Sequence, residues 1–338
     1  MSIRRAEVNW AVVGTGFISQ SISVDLGLTP GARRHAVCSR ERERARAFAD
    51  RNGFAVAYES VTTLLADPAV DVVYIATPHA THAAIAIAAL KAGKHVLIEK
   101  PMAVNAEEGR RIAEAAAASG RFAMEAMWMR FNPAYLDLLT TARAGTIDRI
   151  GSVRASFGLQ FGSPGSNRWS AQRASSTLLD QGIYPVTLAI DVLGRPSRIH
   201  ATGRVREDGV DLTEHITFDY EDGRFAQLSA SMVEYIEPTA SASGTEGWMT
   251  VPAPFWAANE FTTFSGSIAR ALTEPRTTRH ERRGNGYVPM LDAVTLTIAQ
   301  GLTEHPLHTL ADSVATLEVL DAIREALSIP TALPKEIR

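Results

Sequence analysis

Val72-Val73-Tyr74-Ile75-Ala76-Thr77-Pro78-His79, an alanine-rich stretch to Ala92, and Gly93-Lys94-His95-Val96-Leu97-Ile98-Glu99-Lys100-Pro101 read as one strand–helix–strand unit. Residues 72–76 and 96–99 are apolar runs, as in strands buried on both faces of a parallel sheet. The helical stretch between them, 79–92, should stop at Gly93. Thr77, Pro78 and His79 then fall at the carboxyl edge of the sheet, where ligands of open α/β sheets collect. Lys100 emerges at the same edge, immediately after an apolar strand.

Upstream, Trp10-Ala11-Val12-Val13-Gly14-Thr15-Gly16-Phe17-Ile18-Ser19 ends a strand and opens a helix. Glycine at the first position permits a tight turn. At the second it lets a pyrophosphate approach the backbone beside the free N–H groups of a helix N-terminus. Ser19 stands where glycine or alanine is usual. Gly14, Gly16, Phe17 and Ile18 are therefore candidate dinucleotide contacts. The second strand ends in Cys38-Ser39-Arg40, with no acidic residue to bond both ribose hydroxyls. Arg40 suits a 2′-phosphate and Ser39 can donate to it, which favours NADP(H) over NAD(H); a surface arginine at a helix start is the plainer alternative.

The first ~130 residues alternate strand and helix patterns, with further strands expected at 9–13, 34–38, 56–58 and 122–127 and helices at 18–27, 42–52, 61–66 and 106–119. Asn105 is the expected cap of the last helix. After Pro133 the pattern becomes strand-rich: 150–157, 200–206, 214–220, 224–232 and 240–243, with a hairpin at Glu221-Asp222-Gly223-Arg224 and helices at 177–193 and 310–327. The fold expected is α/β, in two domains: residues 1–130 with a parallel sheet, and residues 131–338, an α+β domain with a largely antiparallel sheet.

The 338 residues are 46% hydrophobic and 21% charged, with a net charge of -3, which favours neither a nucleic acid nor a membrane surface as partner. No apolar run approaches the ~20 residues that span a bilayer. A single cysteine, Cys38, permits no intrachain disulfide. The first residues lack the apolar core of a secretory signal, so cytoplasmic residence is expected.

Two constellations carry chemistry. Glu99-Lys100-Pro101 offers a proton carrier near a nicotinamide, or else a surface lysine paired with Glu99. Asp180 and Tyr184, four apart, share a face if their segment is a helix, and beside Lys100 would form a proton relay. Taken alone, Asp180 equally fits a helix cap and Tyr184 a core aromatic. His79 and His82 are either cofactor contacts or satisfied helix-end histidines; no carboxylate or cysteine joins them, so no metal is expected.

These motifs together resemble the glucose–fructose oxidoreductase/inositol dehydrogenase (Gfo/Idh/MocA) family over nearly the whole chain. Glu99-Lys100-Pro101 is the most specific match. Residues 124–133, 155–158, 178–185 and 243–248 are most similar to its dihydrodiol and xylose dehydrogenase branch. The resemblance implies a Rossmann domain, a second domain whose open sheet joins subunits into a homodimer or homotetramer, and catalysis by Lys100, Asp180 and Tyr184. It also implies cofactor contacts from Thr77, Pro78, His79, His82, Glu99 and Lys100, and a substrate pocket lined by Trp128, Phe157 and Tyr184 with Arg130 near it. The activity implied is NADP(H)-dependent hydride transfer at a hydroxyl or carbonyl carbon of a sugar or cyclic polyol. An NAD-dependent glycosidase or lyase using transient redox chemistry, and a non-enzymatic NADP sensor, remain open. Ala174-Ser175-Ser176 replaces the glycine run common in the branch, and His79 stands where asparagine is common. Substrate choice is expected to lie in loops such as 161–173 and 284–289.

Overall fold

A computed structural model describes residues 7–160 and 169–328. The first part of the 161–173 loop, residues 161–168, lies outside them. The chain divides into two compact units. The first runs to Trp128 and also takes Arg282–Val314; the second holds Met129–Glu281 and the chain from Ala315. A single boundary at 130/131 misses this return.

In the first unit, six strands lie in the order β3-β2-β1-β4-β5-β6. They are β1 (Val8–Val13), β2 (Ala32–Cys38), β3 (Val56–Tyr58), β4 (Val72–Ile75), β5 (His95–Ile98) and β6 (Ala123–Glu125). Every neighbouring pair is parallel. The four residues of β4 are all fully buried, which is why they read as an unbroken apolar run. Helices α1 (Phe17–Leu26), α2 (Arg42–Asn52), α3 (Val61–Leu65), α4 (His82–Lys91) and α5 (Ala106–Ser119) connect the strands. Asn105 caps α5, accepting from the Glu108 N–H at 2.8 Å, and Gly120 ends it at φ 61°. Strand order reverses between β1 and β4, so the turns after these two strands form the crevice where ligands of such sheets bind.

The second unit opens with α6 (Pro133–Arg143) and β7 (Ile150–Gly158), followed by α7 (Ile183–Leu193). Strands β8 (Arg198–Val205), β9 (Asp211–Asp219), β10 (Phe225–Ser231), β11 (Ala240–Gly244), β12 (Gly247–Val251), β13 (Glu260–Ser265) and β14 (Arg276–Arg279) complete it, with α8 (Ile268–Thr273) between the last two. The eight strands run β14-β13-β12-β11-β7-β10-β9-β8, and only β7 and β10 are parallel. The hairpin at 221–224 joins β9 to β10, with Gly223 at φ 82°. Strands β12 to β14 were not legible as a sequence pattern. Arg276-Thr277-Thr278-Arg279 is a mostly exposed edge strand with no apolar alternation.

Helix α9 (Val288–Ala299) belongs to the first unit, where it packs on α1 and β1; α10 (Leu310–Ala326) is the last helix among the described residues. Among the described residues no helix is long and apolar enough to cross a membrane.

Candidate functional site

Gly14 and Gly16 do different things. Gly14 sits at φ 107°, and a Cβ there would lie 2.4 Å from the Ala76 carbonyl oxygen. The first turn is thus pressed against the exit of β4, and only glycine fits. Gly16, the N-cap of α1, has an ordinary φ of -82° and nothing within 4 Å of where its Cβ would be. The protein's own packing does not demand glycine there. That open space lies beside a helix start with no side-chain cap and no acidic residue in its first turn, which fits a pyrophosphate. We expect Gly14→Ala to cost at least about 2 kcal/mol from strain and overlap. Gly16→Ala should cost within about 1 kcal/mol of apo stability yet weaken nucleotide binding. Thermal unfolding with a fluorescence titration of NADPH separates the two effects.

Beside this turn, Phe17 is 77% exposed, Ile18 is half-buried and Ser39 half-buried. Arg40 is exposed, and among the described residues its guanidinium has no hydrogen-bond or ion-pair partner. Arg44 reaches the Thr15 carbonyl at 3.4 Å and braces the glycine turn. Cys38 is buried in β2, which pushes its thiol up to about 11; it is packing, not chemistry.

Across the crevice, Pro78 is exposed and Thr77 and His79 are half-buried at the end of β4. His79 lies edge-on to His82, with ring centroids 5.6 Å apart. His82, expected at the cofactor, is instead wholly buried. Its Nδ1 lies 2.9 Å from the Pro101 carbonyl oxygen and its Nε2 2.8 Å from that of Thr77. Burial pushes its pKa down against the pull of those carbonyls and of Glu125. Both nitrogens face main-chain carbonyl oxygens, and the neutral ring donates to one of them, so His82 is wedged between the Thr77 turn and the Lys100 turn.

The Lys100 turn is held from other directions too. Its peptide to Pro101 is cis. Glu99 accepts from the Tyr74 hydroxyl and, at 3.2 Å, from the Lys100 N–H. Glu99 is only 8% exposed, so its carboxylate braces the turn from beneath. Glu125, at the end of β6, accepts from the Met102 N–H at 2.9 Å on one oxygen. Its other oxygen meets His308 Nε2 at 3.1 Å and the Ser313 hydroxyl at 3.0 Å. Burial alone would raise the Glu125 carboxyl; the contacts with His308, Met102 and Ser313 outweigh it and hold the group below its ordinary value. No local pattern in the sequence links residues 125, 308 and 313.

In the second unit, Asp180 lies within a π-helical turn, Leu178–Gly182, that leads into α7. Such turns recur at functional sites because the extra residue re-aims side chains. The simple four-residue face rule for Asp180 and Tyr184 therefore does not apply across this junction. Nor is Asp180 the cap: the Ser176 hydroxyl accepts from the Leu179 N–H at 3.0 Å, and the Asp211 carboxylate from the Leu178 N–H at 2.6 Å. Ala174, in the segment without glycines, adopts φ 55°, a region that favours glycine.

Tyr184 is 4% exposed and belongs to an aromatic cluster. Phe157 and Trp256 stack at 3.6 Å and 7°, and Tyr184 lies 5.8 Å from the first ring and 5.6 Å from the second. Trp256 is half-buried and was not singled out by sequence. Arg130, expected near substrate, is paired with a carboxylate of the second unit. Its Nε and Nη2 donate to Asp191 of α7 at 3.0 and 2.6 Å, and the Tyr135 hydroxyl donates to the same carboxylate at 2.7 Å. It pins the helix that carries Tyr184.

In the first unit, Trp128 packs on Tyr287 with centroids 4.8 Å apart. The 284–289 segment is fastened to α1: Asp25 accepts from the Asn285 and Tyr287 N–H groups at 2.8 and 2.9 Å.

Residues 8–127 match the model of an oxidoreductase family with an NAD-binding Rossmann fold, and residues 135–250 that of the GFO/IDH/MocA C-terminal domain. The chain is 34% identical over 328 residues to trans-1,2-dihydrobenzene-1,2-diol dehydrogenase of Sus scrofa, covering 95% of this chain and 97% of that protein. The Homo sapiens enzyme of that name is 32% identical over 326 residues, with 95% and 97% covered. Among solved structures, a levoglucosan dehydrogenase complexed with NADH and levoglucosan superposes with a TM-score of 0.86 at 24% identity, covering 95% of this chain and 97% of that one. A 3-ketoreductase from Actinomadura kijaniata complexed with NADP gives 0.80 at 24%, covering 95% and 98%. At these identities the structural likenesses establish the fold.

Proposed function

The chain belongs to the GFO/IDH/MocA oxidoreductase family and is an NAD(P)-dependent dehydrogenase, and from that premise we propose that it moves hydride between NADP(H) and a ring carbon of a sugar or cyclic polyol. The observation that carries the substrate class is the stacked Phe157–Trp256 pair beside Tyr184. Flat apolar faces next to one phenol suit a ring that presents C–H groups on one side and a hydroxyl at its edge. The names of the similar proteins, a dihydrodiol dehydrogenase and a levoglucosan dehydrogenase, support a cyclic substrate.

The nicotinamide, when bound, supplies the hydride acceptor or donor. Tyr184 or Lys100 takes the proton of the substrate hydroxyl in the oxidation direction, and Asp180 orients and supports that pair. Gly14 and Gly16 admit the pyrophosphate, and Thr77, Pro78 and His79 line the crevice beside the ribose.

NADP preference rests on Arg40, an exposed cation with no partner among the described residues at the end of β2, where a guanidinium can bind a phosphate bidentately. We expect Arg40→Ala to weaken NADP binding by about tenfold or more and to leave NAD within twofold. Isothermal titration with both nucleotides is the check; equal losses for the two discard the preference. We also propose that the open face of the second sheet, where Arg154 of β7 is exposed, joins subunits; light scattering should find Arg154→Glu at a lower mass than the native protein, and an unchanged mass discards the proposal.

A further inference from the structure

Beneath the turn that carries Asp180 lie two carboxyl groups with almost no solvent: Asp211 is 1% exposed and Glu214 is wholly buried. Residues three apart on a regular strand point to opposite faces. Here the β8–β9 register shifts between Arg204 and Val205, which pair with Thr213 and Asp211, so Leu212 is an extra residue in β9. This bulge turns both acids inward, as bulges do where a side chain must be re-aimed. Gly203 lies opposite Glu214, and a Cβ there would meet the Thr213 carbonyl oxygen at 2.1 Å, so the two strands close tightly over the pair.

Asp211 does the capping. Its carboxylate accepts the Leu178 N–H at 2.6 Å, and its main-chain oxygen accepts the Thr177 hydroxyl at 2.9 Å. Among the described residues neither Glu214 oxygen makes a hydrogen bond of ordinary geometry, and the Leu178 N–H, already accepted by Asp211, gives it only a weaker, opposing pull. The Asp211 carboxyl is the acid whose charge acts on it. Two buried carboxylates cannot both stay ionised in contact, because each charge removed from water needs a donor or a counter-charge. Burial first, then the Asp211 charge and hydrogen bond, push the Glu214 carboxyl well above the ordinary range. Arg324 of α10, itself 8% exposed, feels the charge of Asp211 and that of Asp321 on its own helix.

We propose that Glu214 is a protonated carboxylic acid that donates to Asp211, and that this acid–carboxylate pair is a positioning device for the π-helical turn bearing Asp180. The chain of contacts is Glu214 to Asp211, Asp211 to the Leu178 N–H, and from there two residues to Asp180. The inference rests on Asp180 and Tyr184 acting in the reaction, and it adds a pair of residues that touch neither substrate nor nucleotide. Loss of the Glu214 proton would set two charges side by side under the turn. Loss of the donor would leave Asp211 free to rotate away from Leu178.

The test uses the full chain with Glu214→Gln and Glu214→Leu. Glutamine can donate an N–H to Asp211 in place of the acid proton; leucine cannot. Infrared difference spectra between the native protein and Glu214→Gln at neutral pH should show the carbonyl stretch of a protonated acid in the native protein only. Glu214→Leu should lose about tenfold to 10²-fold in kcat, the scale of a slightly misplaced group, with substrate KM and NADPH Kd within twofold. Glu214→Gln should recover kcat to within about threefold. Absence of the acid band, or a glutamine variant as impaired as leucine, overturns the proposal; if the leucine variant does not fold, the infrared comparison decides. Failure of the underlying reading would show differently, as full activity in Tyr184→Phe.

Discussion

Lys100→Met and Tyr184→Phe should each lose about 10²–10⁴-fold in kcat, the usual worth of a general acid or base, while NADPH binding stays within threefold. The Lys100 turn owes its shape to contacts that do not involve the ammonium group. His82 holds the Pro101 carbonyl, Glu125 the Met102 N–H and Tyr74 the Glu99 carboxylate. Methionine should therefore leave the turn and the nucleotide crevice in place. Tyr184 is packed by its ring against Phe157 and Trp256, so phenylalanine keeps the packing and removes only the hydroxyl. Steady-state kinetics with NADPH fluorescence titration reads both quantities. Near-native turnover in both variants would remove these residues from the reaction.

Arg130→Met should destabilise the protein by about 3–5 kcal/mol, because it strands the charge of Asp191 in a largely buried position. The side chains are only 8% and 14% exposed, and the second partner of that carboxylate is the Tyr135 hydroxyl. Tyr135 cannot replace the lost cation: burial and the Asp191 charge hold its phenol well above the ordinary range, so it stays a neutral donor. The folded fraction should keep its substrate KM within twofold. Denaturant unfolding together with kinetics is the check. Unchanged stability with a raised KM would instead put Arg130 in the substrate pocket.

The parts of the site legible in the sequence are those coded locally. Gly14 is needed by one positive φ and one close approach. The end of β5 delivers Lys100 because an apolar strand must stop at the sheet edge. Asn105 caps α5 through a contact three residues away. The parts that were not legible depend on distant partners. His82 occupies a plausible ligand position by sequence, yet it is buried between carbonyls of two separate turns. The partner of Arg130, Asp191, lies 61 residues on, with no local signal to join them. Trp256 joins Tyr184 from a short 3₁₀ turn, Phe255–Ala257, with no periodic signal. The return of 282–314 to the first unit follows from an apolar helix, α9, packing on α1 and β1, which no boundary composition announces.

The central claim is net hydride transfer to or from NADP(H) at a ring carbon. Incubation of the purified chain with free NADP and a panel of cyclic polyols and sugars measures it directly, by the amount of NADPH formed per substrate oxidised. One NADPH per molecule of ketone or lactone product is the expected result. Substrate consumed with no net NADPH, as in a nucleotide that is reduced and reoxidised within each cycle, would contradict it.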